Sequence, residues 1–192
     1  MYSFPNKPYT VPPDGTIIGI YKQIQLFFIM TTVLNRDTIQ VKRDIERRIE
    51  DYVKGYCEAL EENFKQHSIN SYKRNIQEQR FPENTKYYEE RLEEIENGTA
   101  NLYKFDYTIG KKYIKVFNLQ YSEACDYYNR PAGYRQGSVT AFIDRSTGQV
   151  YKPASWRAPA KHVRYDLRLI KDREFLHNPA NTDWAGGHLY MR

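Results

Sequence analysis

Cysteine is scarce in this chain: Cys57 and Cys125 are the only two among 192 residues. Two thiols so far apart furnish neither a disulfide framework nor a zinc ligand set, and reduced, buried thiols are expected. Histidine is nearly as sparse, with His67, His162, His177 and His188. No HExxH, CxxC or His-x-His spacing occurs among them, so neither a metal centre nor any other cofactor is expected. Cys125, His162 and Asp166 can be drawn as nucleophile, base and orienter, but no local signature accompanies the drawing and no catalytic residue is assigned. Gly186-Gly187 and the Gly133/Gly137 pair lack the strand–loop–helix setting of phosphate-binding enzymes. A long apolar run is also missing. Thr16 to Leu34 is the most apolar stretch, yet Lys22, Gln23 and Gln25 interrupt it, short of the ~18 unbroken apolar residues of a membrane span. No membrane partner is expected. Met1 is followed by a proline-rich polar segment rather than a basic start and apolar core, which implies synthesis in the host cytoplasm without a signal peptide.

What the chain has in quantity is tyrosine, 18 residues, and an uneven charge. Tyrosine combines contact area with a polar tip and suits extensive interfaces. The net charge of +5 divides into −2 over residues 1–100 and +7 over residues 101–192. Basic character therefore belongs to the C-terminal half, a distribution that suggests a site. The length suffices for one well-cored domain plus an extension.

In chain order, residues 1–15 carry prolines at 5, 8, 12 and 13 together with Tyr2, Phe4 and Tyr9. Fixed φ angles make this an extended arm, with the three aromatics as candidate contacts to a partner. A strand and helical section follows over 16–100. Thr16–Leu34, rich in Ile, Thr, Val and Phe, suggests one or two buried strands, although a buried helix fits the same pattern. From Asp37 to Gln66, Ile45, Ile49, Tyr52, Val53, Tyr56, Leu60 and Phe64 repeat at threes and fours and predict a long amphipathic helix, with Asp37 and Gln40 as a capping box. A short helix over 71–80 ends before Pro82. Another runs over 85–97, capped by Asn84, with Tyr88, Leu92 and Ile95 inward and Gly98 past its end. Its glutamates read as a solvated face.

Residues 101–192 read as a basic antiparallel β domain. Residues 104–117 predict a hairpin turning at Gly110-Lys111, and residues 123–137 a loop. Ser138–Asp144 predicts a strand with Val139, Ala141 and Ile143 on one face, and Val150-Tyr151-Lys152 begin the return. In the turn between them the Asp144 carboxylate accepts backbone N–H bonds and Gly148 takes the left-handed position. Beyond Trp156, Pro159 suits a helix first turn, and Val163, Leu167 and Ile170 fall on one helical stripe. That short helix would gather Lys161, Arg164, Arg168 and Lys171 beside its apolar stripe, with Arg168–Asp172 as an i, i+4 pair. With Lys152, Arg157 and Trp156, these residues form the candidate face for nucleic acid or another anion, Trp156 being either its aromatic anchor or a core residue beneath the hairpin. The tail from Phe175 could add a terminal strand.

Residues 136–168 resemble a module in a family of small tailed-bacteriophage proteins. The module has a strand, a D-x-x-T-G-x-V-x-K hairpin and an A-S-W-K-A-P-A-K-x-x-R segment. Asp144, Thr147, Gly148, Val150, Lys152, Ala154, Ser155, Trp156, Pro159, Lys161 and Arg164 match it, and Arg157 stands where lysine is usual. The resemblance implies a viral origin and carries no activity with it.

The expected architecture is α+β: an extended arm, long amphipathic helices, then a small antiparallel sheet of four to six strands bearing the basic helix. The expected role is a non-enzymatic phage virion or assembly component. Its partners would be other phage structural proteins or further copies of itself, and its basic C-terminal face would meet nucleic acid or an acidic neighbour. The alternative is a soluble infection-stage phage protein binding a nucleotide or nucleic acid, a counter-defence factor included. A cytoplasmic origin with possible incorporation into the virion fits both.

Overall fold

A computed structural model describes the backbone of residues 14–79 and 81–190. Within them it describes the side chains of 24–31, 33–79, 81–127 and 129–190. The proposed arm contacts Tyr2, Phe4 and Tyr9 lie outside the described residues. Two compact units are present, Met1–Asp44 and Ile45–Arg192.

Helix α1 spans Asp14–Gln77. The strands expected within Thr16–Leu34 are therefore absent: that stretch is helical. No proline occurs between Pro13 and Pro82. Nothing in that interval blocks helix propagation once a nucleus exists, and the strand preference of Ile, Val and Thr is a weak, context-dependent bias. Nor does Asp37 cap a helix start, since α1 passes through it. Gln40 instead donates from Nε2 to Asp44 Oδ1 at 3.2 Å. The segment expected as a separate helix over 71–80 is the last turns of α1, which ends at Gln77.

Within the second unit, α1 lays one stripe on a sheet. Ile49, Val53, Tyr56 and Leu60 recur at i, i+4, i+7 and i+11 and are essentially inaccessible to solvent. The sheet has five antiparallel strands in sequence order: β1 Lys104–Ile109, β2 Tyr113–Ser122, β3 Gly133–Asp144, β4 Gln149–Pro153 and β5 Pro159–Asp166. One register row, Ile114–Ile143–Val150, supplies the facing core with Val116 and Ala141. A register shift after Val116 pairs Val139 with Phe117, so Val139 leaves the face it was expected to share with Ala141. β3 begins at Gly133, inside the expected loop. Polar ties fix helix to sheet: Glu61 accepts the Phe105 N–H at 2.7 Å, and the Tyr107 hydroxyl donates to Glu50 at 3.0 Å. Arg145 pairs with Glu46 at 2.8 Å.

Helix α2, Thr85–Glu96, buries Ile95 and ends ahead of Gly98 at φ +72°. Asn84 precedes it without a side-chain cap bond. The turn between β3 and β4 forms as its chemistry dictates. Asp144 Oδ1 accepts from Ser146 N and Thr147 N at 2.9 and 3.0 Å, and Gly148 sits at φ +69°.

The short basic helix expected from Pro159 is strand β5. Proline is tolerated as the first residue of an edge strand as well as in a helix first turn, and β5 is the sheet edge. Ala154 N and Ser155 N both bond to Ala158 O, closing a tight connection that returns the chain antiparallel to β4. Helix α3 starts later, over Ile170–Leu176. Of the three residues on the expected helical stripe only Leu167 is buried, while Val163 and Ile170 are exposed. Among the described residues the tail adds no strand either. Asn178-Pro179 and Gly186-Gly187 break extended runs, and a 3-10 turn over Gly187–Leu189 seats Leu189 in the core.

Gly55 explains one packing choice. A Cβ built there would meet the His177 ring at 2.9 Å, so the ring sits against bare helix backbone, its Nε2 2.8 Å from Tyr52 O. Gly55→Ala should therefore destabilise the protein although alanine gains about 1 kcal/mol of helix propensity. In chemical denaturation, much of that loss should vanish in a His177→Ala background. Leu60→Ala should cost about 2–5 kcal/mol by leaving a cavity under the sheet, read from the same unfolding curves.

Candidate nucleic-acid interface

The face of the sheet turned away from α1 carries the row Thr108–Lys115–Phe142–Tyr151–Val163, set by strand register. Phe142 is buried there by its neighbours. Tyr113 packs edge-on against both Phe142 and Tyr151, with centroids at 6.1 and 5.9 Å. Around this aromatic patch stand the β1–β2 turn, with Lys111 and Lys112, and the β4–β5 connection, with Trp156 and Arg157. The Lys115 ammonium lies 4.7 Å from the Trp156 ring centroid, and that of Lys112 lies 5.1 Å from the Tyr113 ring. Trp156 remains 44% exposed. A shallow depression of about 330 Å³ among these residues is lined by Lys111, Lys112, Lys115 and Arg157 and by no carboxylate. Cations beside a part-exposed indole suit phosphate contact with base stacking.

The seven residues singled out in sequence separate in space. Trp156 and Arg157 belong to this outer face. Lys161 is exposed on edge strand β5. Arg168 is clamped to Asp166, Nη2 to Oδ2 at 2.7 Å and Nε to Oδ1 at 3.0 Å, and these bonds hold the Asp166 carboxyl below its usual range. The expected Arg168–Asp172 pair does not form; Asp172 accepts the Asp166 N–H instead. Arg164 donates from Nε to Leu189 O at 2.7 Å and straps the tail, and Lys152 lies 3.5 Å from the Tyr190 ring centroid. Lys171 and Arg164 line a second depression of about 440 Å³ with Tyr165 and Phe175, whose rings stack. Lys111, Lys112 and Lys115 were not singled out. Their signal was the lysine pair in the β1–β2 turn, but placing them beside Trp156 requires the register across β1 to β4.

Cys57, His177 and His188 have structural settings. Burial pushes the Cys57 thiol well above its usual range. The Asp166 carboxylate, drawn above as a possible orienter, is held by Arg168. Among the described residues no group of three or more His, Cys, Asp or Glu is placed to hold a metal ion. His188 closes the tail onto α1. Its Nδ1 accepts the Asp183 N–H at 3.0 Å, and its Nε2 lies 2.8 Å from the Tyr56 hydroxyl. Burial lowers its pKa from 6.5 to about 4.

That displacement has a sign. Between pH 6.5 and 4 the unfolded chain binds the His188 proton and the folded chain does not, so stability is complete above pH 6.5 and is lost as pH falls through this window. The loss amounts to about 3 kcal/mol at its limit. Unfolding free energy measured from pH 7.5 to 4.5 should slope downward in the native chain. It should flatten in His188→Gln, and an unchanged slope would remove His188 as the cause.

No curated protein and no solved structure matches the chain. Residues 36–191 match one family model, most of the length, and the chain belongs to that family, a family of unknown function (DUF7717).

Proposed function

We propose that this chain is a non-enzymatic phage virion or assembly component that contacts single-stranded nucleic acid through the outer face of its sheet. The observation that carries this reading is the grouping of Lys111, Lys112, Lys115 and Arg157 around Trp156 and Tyr113, with no carboxylate lining the depression between them. Phosphates would be neutralised by the cations while an unstacked base lies on the indole, an arrangement open to single strands because their bases can splay. The resemblance of residues 136–168 to a phage module supports the viral setting. The module's tryptophan and its adjacent basic residue, Trp156 and Arg157, are part of this face.

Anisotropy of a labelled oligothymidine should report binding that weakens linearly on a log–log salt plot. Each phosphate contact removed should lower the slope by about 0.7. Lys112→Gln with Lys115→Gln should therefore flatten the slope, and Trp156→Ala should weaken binding by about 1–3 kcal/mol. Lys86→Gln on α2 should do neither. Native affinity in all of these variants would overturn the reading, and preferential binding of poly-glutamate would assign the face to an acidic protein neighbour. Mass spectrometry of purified particles should find the chain in fixed copy number; its absence there would favour the infection-stage alternative.

A further inference from the structure

We infer that residues 183–190 form an acid-released latch: when His188 takes up a proton, this segment leaves α1 and β5 while the sheet and its core stay folded. Such an opening is local, distinct from the global unfolding that the same proton favours.

The directions of the hydrogen bonds at His188 set the latch. Asp183 N can only donate, so His188 Nδ1, 3.0 Å away, is an unprotonated acceptor. The single proton of the neutral ring then lies on Nε2, which donates to the Tyr56 hydroxyl oxygen at 2.8 Å. A second proton has only Nδ1 to go to, where it would point at the Asp183 N–H. The imidazolium therefore forms only by breaking the bond that closes residues 183–188 into a loop. That loop is closely drawn, since a Cβ built at Gly187 would overlap Asp183 Oδ2.

Burial of the ring opposes its charge and lowers its pKa to about 4. The Asp183 carboxylate pulls the other way, but its two oxygens already accept the N–H groups of Ala185 and Gly187 at 2.9 and 3.0 Å. From α1 the ring meets Tyr56, and from β5 it meets the Tyr165 ring at a centroid distance of 6.4 Å. Arg164, Lys171 and Asp172 line the same depression as His188, two cations against one carboxylate, and Asp172 accepts the Asp166 N–H.

Little main chain holds the segment once the ring is charged. Its main-chain bonds run within it, from Gly186 to Asp183, Leu189 to Gly186 and Tyr190 to Gly187. Side chains make the outward ties. Arg164 Nε donates to Leu189 O at 2.7 Å, the Tyr165 hydroxyl to His188 O at 3.0 Å, and Trp184 N to Asn63 Oδ1 at 2.9 Å. Opening lifts Leu189 from the core and the Trp184 ring from Phe64, yet breaks no bond between strands.

The latch does not depend on the nucleic-acid reading. Amide hydrogen exchange of the full chain, corrected for the intrinsic rate of each amide, reads it directly. Between pH 7.5 and 5.0 the protection of the Asp183, Gly187 and Leu189 amides should fall about thirtyfold, the gain from protonating a solvated imidazole at pH 5.0. At pH 5.0 it should lie about tenfold or more below that of the Val116 and Ile143 amides. His188→Asn keeps an acceptor oxygen near the place of Nδ1 and does not titrate, so the fall should vanish; His188→Gln, read in parallel, should lose it too. Protection that is the same at both pH values in the native chain, or that falls equally in the two variants, overturns the latch. Protection at pH 5.0 equal to that of Ile143 overturns it as well, because the segment would then open only with the whole unit.

Discussion

Burial of one stripe of α1 against one face of a five-stranded sheet governs the second unit. Ile49, Val53, Tyr56 and Leu60 meet the row Ile114–Ile143–Val150, and each fully buried aliphatic side chain contributes about 1.5–3 kcal/mol of transfer free energy. Only one face of the sheet is used in this way. The strand alternation that points Val116 and Ile143 inward points Lys115 and Phe142 outward, so the core that stabilises the unit also sets the spacing of the cations and rings on its other side. Register couples the two faces: a one-residue slip between β2 and β3 would empty the core and scatter the basic patch together.

The tail shows why charge counted along a sequence overstates charge available to a partner. Arg164 is committed to the Leu189 carbonyl, Arg168 to Asp166 and Lys152 to the Tyr190 ring. Alongside them, His188 joins the tail to Tyr56 and Asn63 takes the Trp184 N–H at 2.9 Å. Two of these cations, Arg164 and Lys152, therefore hold the last turns of the chain rather than facing outward. The cations lining the depression beside Trp156 come chiefly from β2 and the β1–β2 turn.

Local chemistry was legible in the sequence, and choices decided by distant partners were not. The Asp144–Gly148 turn, the hairpin at Gly110, the helix ending before Gly98 and the helical stripe of Ile49 to Leu60 each rest on residues within a few positions of one another. The α+β class followed from them. Pro159 was ambiguous because the same missing N–H suits a helix first turn and an edge strand, and antiparallel pairing with β4, where Pro153 lies opposite Pro159, decided for the strand. Thr16–Leu34 was ambiguous for another reason: apolar residues on all sides of a helix give no clean period, so side-chain preference favoured strands where cooperative propagation of α1 prevails. The candidate face was half visible. Trp156 and Arg157 stood out by composition, while Lys112 and Lys115 join them only once β1 to β4 are paired.

The most direct test of the outer sheet face as the binding surface is a titration of the isotopically labelled chain with oligothymidine, followed by amide and indole N–H chemical shifts. Progressive shifts confined to Lys111–Lys115, Phe142 and the Trp156 indole are predicted, with the Ile49–Leu60 amides unmoved. Shifts gathered instead around Arg164, Lys171 and Tyr190, or none at saturating oligonucleotide, would contradict it.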